Sequence, residues 1–239
     1  MTFSSTELRQ VRDSAYETKF AIAPALAEEI KKWAQANLAP DPNASDSSDG
    51  GYKITSLYFD TANFDVFHRR GSFGRSKYRI RRYGESETVF LERKLKNRGL
   101  VSKWRTPVAL DELERLGEKA AEQPWNGDWY QRRIQARRLN PVCQISYQRT
   151  AHVAATTSGP VRLTMDHEIE AAPVQAPAFN PAGPVELVSS DRVILELKYQ
   201  AEPPLIFKRL MEQFKLTSHS VSKYRLATQA LGYPLCQSF

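Results

Sequence analysis

With 239 residues, 41% of them hydrophobic and 26% charged, the chain is long enough for one sizeable domain with a substantial core and too apolar to be disordered. No run approaches the roughly 20 apolar residues of a membrane-spanning helix, and residues 1–13 lack the apolar core of a signal peptide, so a soluble cytoplasmic protein is expected. The formal charge of +7 is unevenly spread: residues 71–105 hold 11 basic and 3 acidic side chains, net +8, which leaves the remainder at −1 and points to one concentrated surface for an anionic partner.

In chain order, residues 16–22 and 52–59 are rich in aromatic and branched side chains and are predicted as strands, with Pro24 opening an amphipathic helix between them. The stretch 40–51, dense in Asp, Ser, Asn and Gly, is predicted as a flexible loop. Strands at 77–83 and 88–95 form a hairpin on Gly84-Glu85-Ser86-Glu87, and 100–108 adds a third strand to the meander that carries the basic excess. Helices are expected at 111–121, where an acidic start suits the helix dipole, and at 129–139. A second hairpin pairs 143–153 with 161–169 around 157–160, and a proline-rich connector, 171–184, leads to a last strand at 192–199. Amphipathic helices at 204–216 and 220–231 close the chain. No internal repeat or domain boundary is visible, so residues 1–239 are expected to form a single domain with its core over about 16–231.

Side chains alternate along a strand, and here parity sorts charge from bulk. Arg75, Lys77, Arg79 and Arg81 share one face, opposite Ser76, Tyr78, Ile80 and Arg82. Glu92, Lys94, Lys96 and Arg98 share another, with Leu91, Arg93 and Leu95 behind them, and Arg162, Thr164, Asp166 and Glu168 oppose Val161, Leu163, Met165 and His167. A Glu-x-Lys pair recurs on three separate strands, as Glu17/Lys19, Glu92/Lys94 and Glu196/Lys198. Alternation alone is the pattern of any antiparallel sheet with one face in water. The repeated like charges and the recurring pair are also explained by a closed barrel with a charged interior and an apolar, helix-covered exterior. Such a lumen would hold polyphosphate by arginine forks and lysine point charges, and its few carboxylates would hold a divalent metal.

Eight segments occur in a fixed order: Tyr16-Glu17-Thr18-Lys19-Phe20, Thr55-Ser56-Leu57-Tyr58-Phe59-Asp60-Thr61, Lys77-Tyr78-Arg79-Ile80-Arg81-Arg82-Tyr83-Gly84, Phe90-Leu91-Glu92-Arg93-Lys94, Tyr147-Gln148-Arg149-Thr150-Ala151, Arg162-Leu163-Thr164-Met165-Asp166, Leu195-Glu196-Leu197-Lys198-Tyr199 and Ser222-Lys223-Tyr224. Together they resemble the VTC domain, the polyphosphate polymerase branch of the triphosphate tunnel metalloenzymes (CYTH-like superfamily). The resemblance implies an α+β fold, an eight-stranded antiparallel β tunnel with helices packed on the outside. It implies that Lys19, Arg79, Arg81, Lys94, Lys103, Arg149, Arg162, Lys198, Ser222 and Lys223 contact phosphates, and that Glu196 binds Mn²⁺ or Mg²⁺. Glu17, Glu92, Asp166 and Glu168 are further metal or water-orienting candidates, each with a neighbouring Lys as an alternative partner. Ala15 stands where adenylate-cyclase and thiamine-triphosphatase relatives open with a Glu, which argues against a two-metal hydrolase.

The activity implied is phosphoryl transfer, with Arg79, Arg81, Lys94 and Glu196 as its catalytic set, forming polyphosphate from ATP and releasing ADP. An inorganic triphosphatase and a non-catalytic sensor of polyphosphate or inositol polyphosphates use the same site and stay open. The expected partners are ATP or another triphosphate and polyphosphate, without nucleic acid and without a membrane segment in the chain, a membrane partner protein being left open. Tyr78, Tyr83 and Trp104 could imitate a base-stacking platform in the basic meander. Cys143, Cys236, His68, His152, His167 and His219 have no metal-ligand spacing, and Trp33, Trp125 and Trp129 are assigned to packing.

Overall fold

A computed structural model of the protein describes residues 13–42, 51–97, 99–118, 124–219 and 221–233. Arg98, Ser220 and Cys236, and most of the predicted loop (43–50), lie outside the described residues. In chain order the elements are β1 (Asp13–Ile22), α1 (Pro24–Asn37), β2 (Ala39–Pro40), β3 (Gly51–Asp60), α2 (Asp65–His68), β4 (Ser76–Tyr83), β5 (Thr88–Asn97), β6 (Leu100–Ala109), α3 (Asp128–Ala136), β7 (Asn140–Thr156), β8 (Gly159–Pro173), β9 (Glu186–Ser189), β10 (Val193–Tyr199), α4 (Leu205–Gln213) and α5 (Lys223–Ala230). Single stretches of 3₁₀-helix stand at Gly71–Arg75 and Asp111–Gly117.

Eight of the strands close on themselves. The order β7-β3-β4-β5-β6-β1-β10-β8 is antiparallel throughout, and pairing of β7 with β8 completes the ring. The predicted eight-stranded tunnel is therefore the observed architecture. Closure gives every ring strand a neighbour on both sides, β1 and β6 meeting only through Asp13–Tyr16 and Leu100–Lys103, and the short β2 and β9 lie beside the overhanging ends of β7 and β8.

The outward faces carry the apolar half of each alternation. Leu57, Ile80 and Leu91 are register partners across β3, β4 and β5, and they pack with Tyr130 and Ile134 of α3. Phe20, Leu195 and Met165 align across β1, β10 and β8 beneath Ile30 and Ala34 of α1 and Phe207 and Leu210 of α4. Each of these large side chains is almost wholly buried, at roughly 1.5–3 kcal/mol of transfer free energy apiece for the larger ones. The helices thus pay for the outside of the barrel, and the charged parity is left facing the lumen.

The meander and the last strand match their predicted positions, while β7 and β8 run longer than predicted. The helix expected at 111–121 is a 3₁₀ stretch that ends at Gly117. The short elements β2, α2 and β9 give no periodic signal because each spans four residues or fewer.

Candidate functional site

The lumen is a cavity of about 1270 Å³ lined by 16 lysine or arginine side chains and only two carboxylates, Glu17 and Glu196. Lys19 comes from β1, Lys77, Arg79 and Arg81 from β4, Lys94 from β5, Lys103 and Arg105 from β6, Arg149 from β7, Arg162 from β8 and Lys198 from β10. Every phosphate-binding residue inferred from the resemblance lines this one cavity, Ser222 and Lys223 included. Period-2 alternation brings them to one side of each strand, and ring closure turns that side of seven strands inward.

The inner wall is cross-linked by ion pairs. Lys19 Nζ lies 2.6 Å from Glu196 Oε2, and Lys94 Nζ 2.5 Å from Glu17 Oε2. Arg79 and Arg105 both reach the fully buried Glu92, at 2.6 and 3.3 Å. Arg149 grips Asp166 through two nitrogens at 2.6 and 2.8 Å, and Lys223 approaches the same carboxylate at 2.5 Å. Arg162 donates to Tyr52 Oη and pairs with Asp41 at 2.7 Å. Burial would push the Glu92 and Asp166 carboxyls up, but the cations around each overcome it and hold both well below the usual range: Arg79, Arg81, Lys103 and Arg105 for Glu92, Arg149 and Lys223 for Asp166. Glu196 is held low in the same way, with Lys19, Lys94 and Lys223 outweighing burial.

Three cations are held differently. Arg81 is buried and donates to the hydroxyls of Ser56 (3.3 Å) and Tyr147 (2.9 Å), and Lys77 Nζ donates to Ser222 Oγ at 2.7 Å. Lys103 makes no hydrogen bond or ion pair among the described residues. No carboxylate forms an ion pair with any of the three among the described residues, and Glu92 acts on Arg81 and Lys103 only through the field. Burial, with Lys19, Lys94, Arg69 and Arg79 nearby, lowers the Lys77 ammonium to about 7, and burial with Arg105 lowers Lys103 to about 8 against the pull of Glu92.

His219, Ser222 and Lys223 each meet a different wall of the tunnel. His219 N donates to Lys19 O on β1, Ser222 meets Lys77 of β4, and Lys223 meets Asp166 of β8. Ser222 also caps α5, accepting from Arg225 N at 3.4 Å. Tyr224, the next residue, donates to Asp60 Oδ2 at 2.6 Å and stacks on Tyr58, whose hydroxyl accepts from Arg79. Asp60 further accepts from the backbone N–H groups of Thr61, Val66 and Phe67, so it fixes both α2 and α5 to the end of β3.

Glu168 does not join the site: its backbone has φ +51°, its side chain is 71% exposed, and its carboxylate lies 3.9 Å from the His167 imidazole. The register of β7 and β8 slips between Ser146 and Gln148, which ends the inward alternation there. Tyr78 points outward and is buried against Tyr130, so it offers no face to a base. Lys77, which parity places on the charged face, and Arg105 line the cavity although the resemblance named neither as a phosphate contact, and sequence reasoning missed the hydroxyl donors and acceptors Ser56, Tyr52, Tyr58 and Tyr147. For the hydroxyls only strand pairing carries the signal, since each acts on a guanidinium of another strand.

No cluster of three His, Cys, Asp or Glu side chains able to hold a metal exists among the described residues. Glu196 and Glu17 are instead two carboxylates on the wall of a cationic lumen. That donor set fits a hard cation that keeps most of its coordination to phosphate oxygens and water, as Mg²⁺ does with one or two carboxylates.

Sequence comparison finds the VTC domain family profile matching residues 14–232. No curated protein matches the sequence. Among solved structures, a candidate adenylate cyclase from Bacillus halodurans has 12% identity and a TM-score of 0.55, covering 88% of this chain and 95% of that one. A candidate adenylyl cyclase from Hippeastrum, described as revealing a dominant triphosphatase activity, has 13% identity and a TM-score of 0.49 over 93% of this chain and 98% of its own. The Pyrococcus horikoshii protein PH1819 has 12% identity and a TM-score of 0.47 over 90% and 98%.

Proposed function

The chain belongs to the VTC domain family, and from that premise we propose that it transfers phosphoryl groups on a triphosphate or polyphosphate held in the tunnel, making polyphosphate from ATP. The observation that carries this reading is the lumen itself: 16 cations against two carboxylates, with Lys77, Arg81 and Lys103 held by neutral groups or by none among the described residues. A compact inorganic polyanion is the ligand that such a narrow, multiply cationic cavity neutralises.

In the reaction a terminal oxygen of inorganic phosphate or of a growing chain attacks the γ-phosphorus of ATP. The bond from that phosphorus to the β,γ-bridging oxygen breaks, and ADP leaves with the electron pair. Such transfer asks the protein for alignment and charge stabilisation rather than covalent work. Arg79 and Arg81 from β4, Lys94 from β5 and Arg149 from β7 would hold the donor phosphates. The ion pairs to Glu92, Glu17 and Asp166 preset where these side chains point. Glu196, with Glu17, would hold Mn²⁺ or Mg²⁺ brought in on the phosphates. When bound, that cation supplies charge neutralisation at the non-bridging oxygens.

Phosphorus NMR of the protein with ATP and Mn²⁺, beside a tripolyphosphate sample, tests the reading. Growth of internal-chain phosphate signals together with ADP is expected, and their loss in Glu196→Ala would support that residue as the cation's ligand. Orthophosphate as the sole product would reassign the protein as a triphosphatase, and tight binding without turnover as a sensor.

A further inference from the structure

Arg93 stands on the wrong face of its strand. It alternates with Leu91 and Leu95 on the apolar, outward side of β5, where its guanidinium lies 5.9 Å from the ring centroid of Tyr78 and 5.1 Å from that of Trp104. Arg137, which follows α3, lies over Phe73 at 4.2 Å and donates to Ser72 Oγ at 3.0 Å. The two arginines border a groove of about 250 Å³ on the outside of the barrel, between the Gly71–Arg75 turn and β5. Arg133, in the last turn of α3, adds a third positive charge close enough to act on Arg93.

This cluster has no internal compensation. No ion pair joins Arg93, Arg133 or Arg137 to a carboxylate among the described residues, and the Nε atoms of Arg93 and Arg137 are buried without a hydrogen-bond partner. Burial, together with Arg133 and Arg137, lowers Arg93 from the ordinary arginine range. The negative end of α3 offsets a fraction of one charge, about half, and not three. Aromatic faces fix where Arg93 and Arg137 sit, and apart from the bond from Arg137 to Ser72 their N–H groups meet no side-chain acceptor among the described residues. One further residue connects this groove to the lumen: Arg75 lines both.

We propose that Arg93 and Arg137 form a second anion-binding site on the outside of the barrel, and that it takes the part of an inorganic polyphosphate chain that extends past Arg75 from the tunnel. The inference rests on the reading that the tunnel itself holds polyphosphate. A triphosphate is short enough to be satisfied within the lumen, whereas a long chain leaves it and meets the exterior cations. The outer site therefore adds affinity only for chains long enough to span both sites, because the second contact is then intramolecular.

The test compares equilibrium binding of tripolyphosphate and of long-chain polyphosphate to the wild-type protein and to Arg93→Gln/Arg137→Gln, with Arg137→Gln alone as the milder substitution should the double variant fail to fold. Loss of about tenfold or more in long-chain affinity in the double variant, and a smaller loss in Arg137→Gln, is expected, with tripolyphosphate affinity unchanged in both. Long-chain affinity equal to wild type in folded Arg137→Gln and in the double variant would overturn the proposal. Equal loss for both ligands would also overturn it, since the effect would then lie in the tunnel. Failure of wild type to bind tripolyphosphate, or binding indifferent to Arg81→Ala, would instead remove the tunnel reading. Displacement of long-chain polyphosphate from the outer site by single-stranded RNA at equal phosphate concentration would overturn the assigned ligand class.

Discussion

Arg79 and Arg81 stand two residues apart on one face of one strand, yet their neighbours give them different consequences. Arg79 shares the buried Glu92 with Arg105, so Arg79→Ala should cost both turnover and about 1–3 kcal/mol of stability. Arg81 is held by two hydroxyls, and Arg81→Ala should lower turnover by about 10²-fold or more with a much smaller change in melting temperature. Steady-state kinetics beside thermal denaturation separates the two, and wild-type turnover in Arg81→Ala would remove it from the site. Lys77 and Lys103 supply a pH dependence. Their ammonium groups lose protons near 7 and 8 in the free protein, so tripolyphosphate affinity should fall as pH rises from 7 to 9, with uptake of protons on binding. Calorimetric titrations in Lys77→Met and Lys103→Met should show a flatter profile. The free protein follows the opposite sign. Below about 7 the fold must bury a charged Lys77, and between that value and the unfolded value of about 10.4 the unfolded chain binds the extra proton, so stability from this group rises with pH.

Among the elements, α5 links the fold to the chemistry. Its first turn holds Ser222 and Lys223 in the lumen, and Tyr224 ties it to Asp60 at the end of β3. Tyr224→Phe keeps the ring stacked on Tyr58 but leaves a buried carboxylate oxygen short of a donor. A loss of about 1–3 kcal/mol in urea denaturation is expected, accompanied by weaker tripolyphosphate binding because Lys223 is no longer held in place. Unchanged binding would show that α5 keeps its position without that bond. The sequence made the helix itself legible, as an amphipathic stretch over 220–231, and the structure starts it at Lys223 behind the Ser222 cap. The sequence did not show that His219 and Ser222 reach β1 and β4, because those contacts join positions more than 140 residues apart. Glu168 teaches the converse: parity placed it inward, and a slipped register with a left-handed backbone turned it out.

At the scale of the molecule, a closed ring of charged strands is built under electrostatic tension that an anion relieves. Saturation with tripolyphosphate at about a hundred times its Kd should stabilise the fold by about 2.7 kcal/mol, a rise of roughly 5–10 °C for a chain of this size. Differential scanning fluorimetry across a salt series checks this, and the shift should shrink as salt screens the lumen. No helix among the described residues is long and apolar enough to cross a membrane, so the observed helices serve the outside of the barrel. What the sequence determined by itself was local and periodic. Strand positions, the division of each strand into a charged and an apolar face, and the ordered motifs that resemble the VTC domain all follow from a repeat of two residues and from spacing along the chain. The tertiary structure decided which faces meet: β7 against β8 to close the ring, Asp166 between Arg149 and Lys223, hydroxyls rather than carboxylates around Arg81, and arginines of β5 and α3 gathered outside. Pairing partners depend on contacts between distant residues, and alternation within one strand carries no information about which strand lies beside it.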